Sequence, residues 1–302
     1  MNAGARKEIE YLTRYGRPLF PFNRMLREIY NLEKQLPSVH LDSLQKYLKI
    51  SSQLIPDREE LTRPVIRHPD LRPSNIFVSD DYEITSLIDW QNATVLPLFL
   101  QSGIPDDLDN SGSASGCLEI PQLPNDISAL GEDSRPEQLE LFDKQSLHHI
   151  YMTETSKINP THYEALTLPF SIGRRKVYDL SSSPWQGDNI PLRSSLIFIK
   201  QQWSHLSATS NEPCPITFGE DEEQECVRFD ELEQKAVEQL EDSMEMLGLG
   251  PEGWVSNENY EAVQEAIARM KEMCLEQAET ESERVAIRDH WVYDDLDEDE
   301  YL

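Results

Sequence analysis

Positive charge is scarce in this sequence of 302 residues. Lys and Arg number 27, whereas Asp and Glu number 56, which gives a formal net charge of −29 at pH 7. Residues 220–302 hold 28 acidic and 6 basic residues, so most of the excess lies in the C-terminal part. Nucleic acids and anionic membranes bind through clustered Lys and Arg, so this part is predicted to bind neither. Such a segment instead favours a basic protein partner or a purely solubilising role.

Other absences narrow the class of protein further. No apolar run approaches the length of a membrane span, and the N-terminus lacks the apolar stretch of a secretory signal. It is also a poor mitochondrial presequence, because Glu8 and Glu10 interrupt the basic residues. The cysteines have no metal-binding or redox spacing, which predicts free thiols in a reducing compartment. They are Cys117, Cys214, Cys226 and Cys274.

The residues that indicate chemistry are concentrated in one short stretch. Asp70 is followed by Asn75 five residues later and by Asp89 a further fourteen residues on. Pro69 and Pro73 keep the segment around Asp70 extended or turned rather than helical. A carboxylate on such a segment is suited to accept a proton from a substrate hydroxyl or to orient it.

A β-hairpin is predicted to bring the other two polar residues together. Two short apolar runs of β-favouring residues flank a polar turn. They span 76–78 and 84–88. With the turn centred on Tyr82, Ile76 is predicted to face Ile88, and Asn75 to face Asp89. Cross-strand neighbours lie about 5 Å apart at Cβ, so this pair would share a hard cation such as Mg²⁺. Single Asp and Asn residues at strand ends are alternatively caps or turn formers.

The string HPDLRPSNIFV, followed by LIDW, resembles the catalytic segment of the aminoglycoside phosphotransferase family, also called the phosphotransferase enzyme family. These enzymes are kinase-like. The resemblance implies Asp70 as the catalytic Asp, with Asn75 and Asp89 as ligands of the Mg²⁺ that accompanies ATP. Arg72 stands where protein kinases have a Lys that touches the transferred phosphate, so it either contacts phosphate or is a solvated loop residue. His68 is implied to be packed and hydrogen-bonded rather than chemically active.

Longer phrases are similar to a fungal branch, the altered inheritance of mitochondria protein 9-like proteins. They are GRPLFPFNR, SLIDWQNATVLPLFLQSGIP, NPTHYEALT, PEGWV and HWVYDDLDEDEYL. This similarity implies a mitochondrial location, although no import signal is visible, and a cytoplasmic location is the alternative. The family usually has Gly at the position of Pro69, a departure that stiffens the loop. The acceptor is implied to be a small molecule with a hydroxyl. Asp106, Asp107 and Asp109 are candidate contacts for a cationic acceptor or, alternatively, are simply solvated.

The expected fold class is α+β and mostly helical. Helical patterns are predicted at 6–16, 25–35, 43–54, 136–157, 160–181, 191–206, 230–247 and 257–290. Pro169 is expected to break or kink the fifth of them. The order of elements is that of a protein kinase-like C-terminal lobe with a short catalytic hairpin, assigned to residues 1–206 with a polar loop at 101–136. Residues 207–302 are predicted to be an acidic helical extension and tail. An apolar stripe on its first helix is expected to pack against the second helix or the lobe.

A small lobe ahead of the motif is expected of a working kinase-like enzyme, because it supplies a loop over the phosphates, a Lys and a Glu. The 67 residues before His68 contain no glycine-rich hairpin and no strand Lys. Two functions therefore stay open. In the first, the chain is the large lobe of an ATP- and Mg²⁺-dependent small-molecule phosphotransferase, incomplete as given, and by itself it is expected to bind Mg²⁺ and ATP weakly or not at all. In the second, it is a non-catalytic, pseudokinase-like binding module or the remnant of a mitochondrial protein.

Overall fold

The computed structural model describes residues 1–18, 35–109, 118, 120–123, 134–206, 213–250, 253–289 and 291–294. Several predicted features lie wholly or mostly outside the described residues. They are the helix at 25–35, most of the loop at 101–136, Cys117 and the end of the acidic tail.

Helices dominate the described chain, and the strands are short. The helices are α1 (Ala3–Tyr15), α2 (Pro37–Ile50), α3 (Glu59–Thr62), α4 (Leu98–Gln101), α5 (Ser134–Ile158), α6 (Pro160–Leu166), α7 (Ser171–Ser182), α8 (Ile190–Gln201), α9 (Trp203–Leu206), α10 (Glu220–Leu247), α11 (Tyr260–Gln277) and α12 (Glu281–Asp289). The strands are β1 (Pro64–Ile66), β2 (Ile76–Val78), β3 (Ile84–Leu87) and β4 (Val95–Pro97). This composition agrees with the expected mostly helical α+β class. None of the described helices is both long and apolar enough to cross a bilayer.

Several helix ends follow local signals in the sequence. α1 ends at Gly16 and α10 ends at Gly248, and both glycines are left-handed with φ of 65° and 68°. Glycine adopts this conformation without the steric cost that a Cβ brings, which is why it commonly follows the last helical turn. The helix predicted at 160–181 is divided into α6 and α7 around Pro169, so the expected break is confirmed.

Other boundaries were predicted wrongly. The acidic helix begins at Glu220 rather than at residue 230, because four acidic residues in its first turn stabilise a helix N-terminus. The single helix predicted at 257–290 is divided into α11 and α12. The Thr280 hydroxyl accepts a hydrogen bond from the Glu283 N–H, and the Glu283 carboxylate accepts one from the Thr280 N–H. This reciprocal capping starts a new helix, and its Thr-x-x-Glu pattern was visible in the sequence.

The described chain divides into two compact units. We call the first the helical unit, which comprises residues 1–52, 177–204 and 209–302. We call the second the motif unit, which comprises residues 53–176 and 205–208 and contains the predicted catalytic stretch. The division of the chain at residue 206 into a lobe and an extension stays a prediction.

In the motif unit, the strands form two separate antiparallel pairs. β1 pairs with β4, so that Ile66 lies opposite Val95, and β2 pairs with β3. α4 follows β4 directly and buries Leu98, Phe99 and Leu100. These buried residues anchor the sheet pair that leads into the catalytic stretch.

In the helical unit, α8 packs against both α2 and α10. The core includes Leu44, Tyr47, Leu196 and Ile199, none of which is measurably exposed. The predicted apolar stripe of α10 packs only in part. Its residues Leu232 and Val237 are 40% and 48% exposed, whereas Leu247 is buried. The cysteines of the described residues, Cys214, Cys226 and Cys274, form no disulfide.

Candidate functional site

The loop that carries Asp70 is held by short-range hydrogen bonds. The Asp70 N–H donates to His68 Nδ1 at 3.2 Å, and the Arg72 N–H donates to the Asp70 carbonyl at 3.2 Å. A single 3₁₀ turn then spans Pro73–Asn75. Pro fits the first position of such a turn because its φ is fixed and it has no N–H to satisfy. The sequence therefore fixes the path from Asp70 to Asn75 locally.

Asn75 is buried, and its amide orientation is determined by its neighbours. Its Nδ2 donates to the Asp70 carbonyl oxygen at 2.9 Å and lies 3.5 Å from Asp70 Oδ2. Because Nδ2 must be the donor to a carbonyl, Oδ1 is left as an acceptor. No protein donor among the described residues bonds to it. Asn75 thus restrains the Asp70 backbone through its amide nitrogen, and its Oδ1 stays available to accept from or coordinate another group.

The predicted hairpin register is wrong by one residue. Ile76 lies opposite Leu87 rather than Ile88. Asn75 accordingly pairs with Ile88, whose N–H donates to the Asn75 carbonyl at 3.1 Å. Asp89 is therefore the residue after the partner of Asn75, not the partner itself.

The turn explains the shift in register. The Ser79 N–H donates to the Glu83 carbonyl at 2.9 Å, so the turn is centred before Tyr82, which adopts a left-handed φ of 62°. An irregularity between Phe77 and Val78 then restores part of the displacement. A bulge of this kind adds a residue to one strand, and a count of residues from an assumed turn centre cannot anticipate it.

Asp89 lies just beyond the hairpin in a left-handed conformation, with φ of 62°. Its side chain is exposed and, within the described residues, makes no hydrogen bond or ion pair. A non-glycine residue in this region costs of order 1 kcal/mol or more and often marks a functional position. The backbone turns here, so strand alternation no longer decides the direction of the Asp89 side chain.

His68 connects the two halves of the stretch. Its Nδ1 accepts from the Asp70 N–H, so Nε2 carries the proton and donates to the Ile88 carbonyl at 2.7 Å. The His68 ring also meets the Trp90 ring edge to face at 4.8 Å. His68 therefore occupies the packed, hydrogen-bonded position that was expected, and it sets the spacing between Asp70 and the residues around Asp89.

Arg72 contacts Asp70. Its Nε donates to Asp70 Oδ1 at 2.7 Å, and the Arg72 side chain is about half exposed. The hydrogen bond and charge of Asp70 raise the pKa of Arg72 above its ordinary value, with smaller contributions from Asp107 and Asp106. The acidic turn at 106–108 is thus within electrostatic range of Arg72. For Arg72 the sequence predicted either contact with phosphate or simple solvation, and the ion pair with Asp70 was not predicted.

A polar network behind the loop was not predicted. Arg67 donates through one nitrogen to the carbonyls of Gln101 and Gly103, both at 2.9 Å. Its other terminal nitrogen lies 3.4 Å from the Tyr151 hydroxyl, which is 3.1 Å from His162 Nε2. Burial, followed by the charges of Arg67 and Arg175, lowers the pKa of His162 to about 4. The network joins the start of the catalytic stretch to the loop at 101–109.

The acidic turn at 106–108 is also fixed at its C-terminal end. His148 is buried, and its Nδ1 lies 3.2 Å from the Leu108 carbonyl and 3.9 Å from Asp109 Oδ1. Ser102 is also buried and donates to the carbonyls of Phe99 and Ala165. The described part of the polar loop is therefore fixed to α4, α5 and α6. No local sequence signal indicates these contacts, because the partners are far apart in the chain.

No group of three or more His, Cys, Asp or Glu side chains within the described ranges is arranged to hold a metal. Asn75 and Asp89 are a smaller set of oxygen donors. Mg²⁺ commonly binds through one or two carboxylates and completes its coordination with substrate phosphates and water. The chemistry of the two side chains therefore fits Mg²⁺ that arrives with a polyphosphate.

Comparison with known proteins supports the resemblance seen in the motif. Residues 5–99 match the model of the phosphotransferase enzyme family, and this range contains the whole stretch from His68 to Trp90. No solved structure matches the chain. The resemblance seen in the motif therefore extends over residues 5–99.

The curated relatives that match include proteins of Aspergillus, Candida and Saccharomyces. The chain is 29% identical over 301 residues to a subtelomeric hrmA-associated cluster protein of Aspergillus fumigatus, an alignment that covers 99% of this chain and 58% of that protein. It is 23% identical over 195 residues to altered inheritance of mitochondria protein 9, mitochondrial, of Candida glabrata, covering 60% of this chain and 29% of that protein. The corresponding Saccharomyces cerevisiae protein is 23% identical over 185 residues. The chain spans little more than half of the length of the Aspergillus relative.

Proposed function

We propose that the motif unit carries the catalytic segment of an ATP- and Mg²⁺-dependent phosphotransferase that phosphorylates a hydroxyl of a small molecule. The arrangement of Asn75 is the observation that carries the proposal. Its amide nitrogen is committed to the Asp70 carbonyl, which leaves Oδ1 as an acceptor in the same stretch as the unpartnered Asp89 carboxylate. The family match over this stretch supports the same reaction class. In this proposal, residues 1–206 are the kinase-like C-terminal lobe.

Asn75 and Asp89 would hold the metal, since both present hard oxygen ligands. Bound Mg²⁺ neutralises negative charge on the phosphate oxygens and so favours attack on the terminal phosphorus. Asp89 is suited to this role by its exposure, because a carboxylate without a protein partner loses no existing contact on binding a cation.

Asp70 would act on the acceptor. Its Oδ1 accepts from Arg72 at 2.7 Å, whereas Oδ2 has only the longer contact of 3.5 Å with the Asn75 amide nitrogen, so Oδ2 is the oxygen left for the acceptor hydroxyl. As the acceptor oxygen forms its bond to the γ-phosphorus, the bond from that phosphorus to the oxygen of the leaving ADP breaks, and the hydroxyl proton moves to Asp70 Oδ2. Arg72 contributes in this proposal by orienting Asp70 and by placing positive charge near the transferred phosphate.

A cationic acceptor fits the acidic turn that lies on the Arg72 side. Asp106 and Asp107 act electrostatically on Arg72, and the loop that carries them is fixed by Arg67 and His148. A fixed carboxylate attracts an ammonium group at a lower entropic cost than a mobile one. We therefore propose an amino alcohol as the class of acceptor. A mitochondrial location is part of the proposal and is supported by the names of the relatives.

A non-catalytic binding module is the second candidate. The ion pair between Arg72 and Asp70 favours it, because the carboxylate that should meet the acceptor is already neutralised on one oxygen. A module of this kind would still bind metal and nucleotide but would not transfer phosphate.

The metal site is tested first by NMR of the whole chain with Mn²⁺ and ATP. The Trp90 indole N–H, which donates to the Leu87 carbonyl, is the reporter. We expect paramagnetic broadening of this signal in the wild type, none in Asp89→Ala, and wild-type broadening in Asp81→Ala. Asp81 is a matched control, because it is an exposed carboxylate in the turn of the same hairpin. Equal broadening in Asp89→Ala would remove Asp89 from the metal site.

Catalysis is tested by transfer of labelled γ-phosphate to a panel of amino alcohols. We expect Asp70→Asn to lower transfer by a factor of roughly 10²–10⁴, while Mn²⁺-dependent broadening at Trp90 persists. Binding without transfer by the wild type would instead favour the non-catalytic module.

A further inference from the structure

A cavity of about 150 Å³ lies at the N-terminal ends of α2 and α8 and belongs entirely to the helical unit. The residues that precede these two helices line it, together with residues of α10. Its apolar wall consists of Leu36, Val39, Ile190 and Phe229. A cavity of this size accommodates a molecule as large as benzene. The space therefore suits a ligand with a single ring.

Asn189, another residue of the cavity wall, precedes α8 but does not cap it. An Asn in this place usually accepts a backbone N–H of the first helical turn through its side-chain oxygen. Here the Asn189 Nδ2 donates to the Leu36 carbonyl at 3.0 Å, and the Asp188 carboxylate accepts from the Ile190 N–H at 2.9 Å. Asn189 is 2% exposed, and its Oδ1 has no hydrogen-bond partner in the part of the chain that the structure describes. A buried acceptor is thus left over at this wall.

Gln35, on the same wall, has a donor left over. Its Oε1 accepts from the Asn189 N–H, so Nε2 must be the donor of this amide. Nε2 is shielded from solvent and has no partner among the described residues. A buried donor or acceptor without a partner destabilises the folded state, and a ligand that bonds to it removes this cost. Gln35 and Asn189 therefore offer one donor and one acceptor to the same occupant.

The charged residues of the cavity wall, Arg193 of α8 and Glu225 of α10, neutralise each other. Arg193 Nη1 lies 2.6 Å from Glu225 Oε2, and the Arg193 side chain is only 8% exposed. This pair leaves no unbalanced charge among the described residues that line the cavity. A charged ligand would lose its hydration without gaining a countercharge, so the wall favours a neutral ligand.

We propose that this cavity binds a small neutral molecule that has one ring and an amide group. The carbonyl of the ligand accepts from Gln35 Nε2, and its N–H donates to Asn189 Oδ1. An amide matches this pair of atoms because it carries an acceptor and a donor side by side. The ring packs against Val39, Ile190 and Phe229. This site is independent of the phosphotransferase function.

Benzamide is the probe, and a proton NMR titration against the whole chain measures its binding. We expect a dissociation constant of about 1 mM or lower, since few atoms contribute to the binding of so small a ligand. Nuclear Overhauser effects should connect its ring to the methyl groups of Val39 and Ile190, which line the cavity. Acetophenone, in which a methyl group replaces the amide nitrogen, should bind at least about tenfold more weakly, because it offers no donor to Asn189 Oδ1.

Gln35→Glu removes the donor and keeps an oxygen for the Asn189 N–H. This variant should bind benzamide about tenfold or more weakly, and it should bind benzamidinium, the cationic analogue, more tightly than the wild type does. Gln264→Glu is the matched control, because Gln264 is an exposed residue of α11 outside the cavity. It should change both affinities by less than about twofold, as expected of an exposed charge.

Three results would each overturn the proposal. They are no saturable binding of benzamide up to about 10 mM, equal binding of acetophenone and benzamide, and unchanged benzamide binding by folded Gln35→Glu. The first of them would show that the cavity holds water only. Circular dichroism melts establish whether the variants are folded. The acetophenone comparison needs only the wild type, so it decides the matter if Gln35→Glu does not fold.

Discussion

Both units bury histidine, and the surroundings of His162 in the motif unit differ from those of His40 in the helical unit. In the motif unit, His162 lies within hydrogen-bonding distance of the Tyr151 hydroxyl and next to Arg67. In the helical unit, His40 is 3% exposed, and neither of its ring nitrogens has a hydrogen-bond partner in the described chain. His40 instead stacks on Trp185, with ring centroids 5.7 Å apart.

The different surroundings of the two histidines match the different roles of the two units. His162 belongs to a network that orients the backbone before Asp70 and the loop at 101–109. A satisfied polar network specifies one arrangement, which a site for chemistry requires. The helical unit presents a surface over a hydrophobic core, so His40 can act as a ring that fills space, at the cost of unsatisfied nitrogens.

The largest expected effect is a loss of stability in acid that both units share. Burial lowers the pKa of His40 to about 4, and burial with the charges of Arg67 and Arg175 lowers that of His162 to about 4, against an ordinary 6.5. The unfolded chain therefore binds protons near pH 6.5, whereas the folded chain binds them only near pH 4. Stability falls as the pH drops through this window, by about 3 kcal/mol for each histidine.

Urea unfolding at a series of pH values checks this loss. The slope of the free energy of unfolding against pH reports how many more protons the unfolded state binds than the folded state. His40→Leu and His162→Leu should each lower this number by about one between pH 4 and 6.5. A slope of stability against pH that neither substitution changes would assign the acid sensitivity to other groups.

The second effect is confined to the motif unit. Arg67→Met leaves two backbone carbonyls without their donor and should lower the free energy of unfolding by about 2 kcal/mol. Arg63→Met is the control, because the Arg63 side chain is 65% exposed and its contact with Glu59 spans 3.8 Å, so a change below about 0.5 kcal/mol is expected. Urea denaturation measures both. Equal losses would show that the network contributes nothing beyond surface charge.

The smallest effect is the change in stability on replacing each histidine by Leu, which should differ in direction between His162 and His40. At pH 8, where both are neutral, His162→Leu should destabilise the protein by about 1.5 kcal/mol, because the Tyr151 hydroxyl loses the ring nitrogen that lies 3.1 Å away and keeps only its longer contact with Arg67. His40→Leu should be neutral or stabilise by up to about 1 kcal/mol, because it removes buried nitrogens that have no partner. Thermal melts at this pH decide the matter. Destabilisation of the same size in both variants would contradict the contrast between the units.

Much of the secondary structure and of the candidate site could be predicted from short stretches of the sequence. Gly16 and Gly248 end helices because their φ values suit glycine, and Pro169 interrupts a helix because it has no N–H to donate. The structured loop from His68 to Asn75 follows from residues at most seven positions apart. The hairpin register was missed, because it depends on a tight turn and a bulge that strand patterns do not encode.

The sequence by itself determined most of the elements, the charge distribution and the set of side chains that resemble a phosphotransferase site. Only the tertiary structure decided how Arg67 meets Tyr151 and His162, and why His40 stays neutral. It also decided that a cavity lies at the N-terminal ends of α2 and α8. The physical reason is how far apart in the chain the interacting residues lie. Turns and helix ends depend on adjacent residues, whereas burial and hydrogen-bond partners depend on residues brought together from distant parts of the chain.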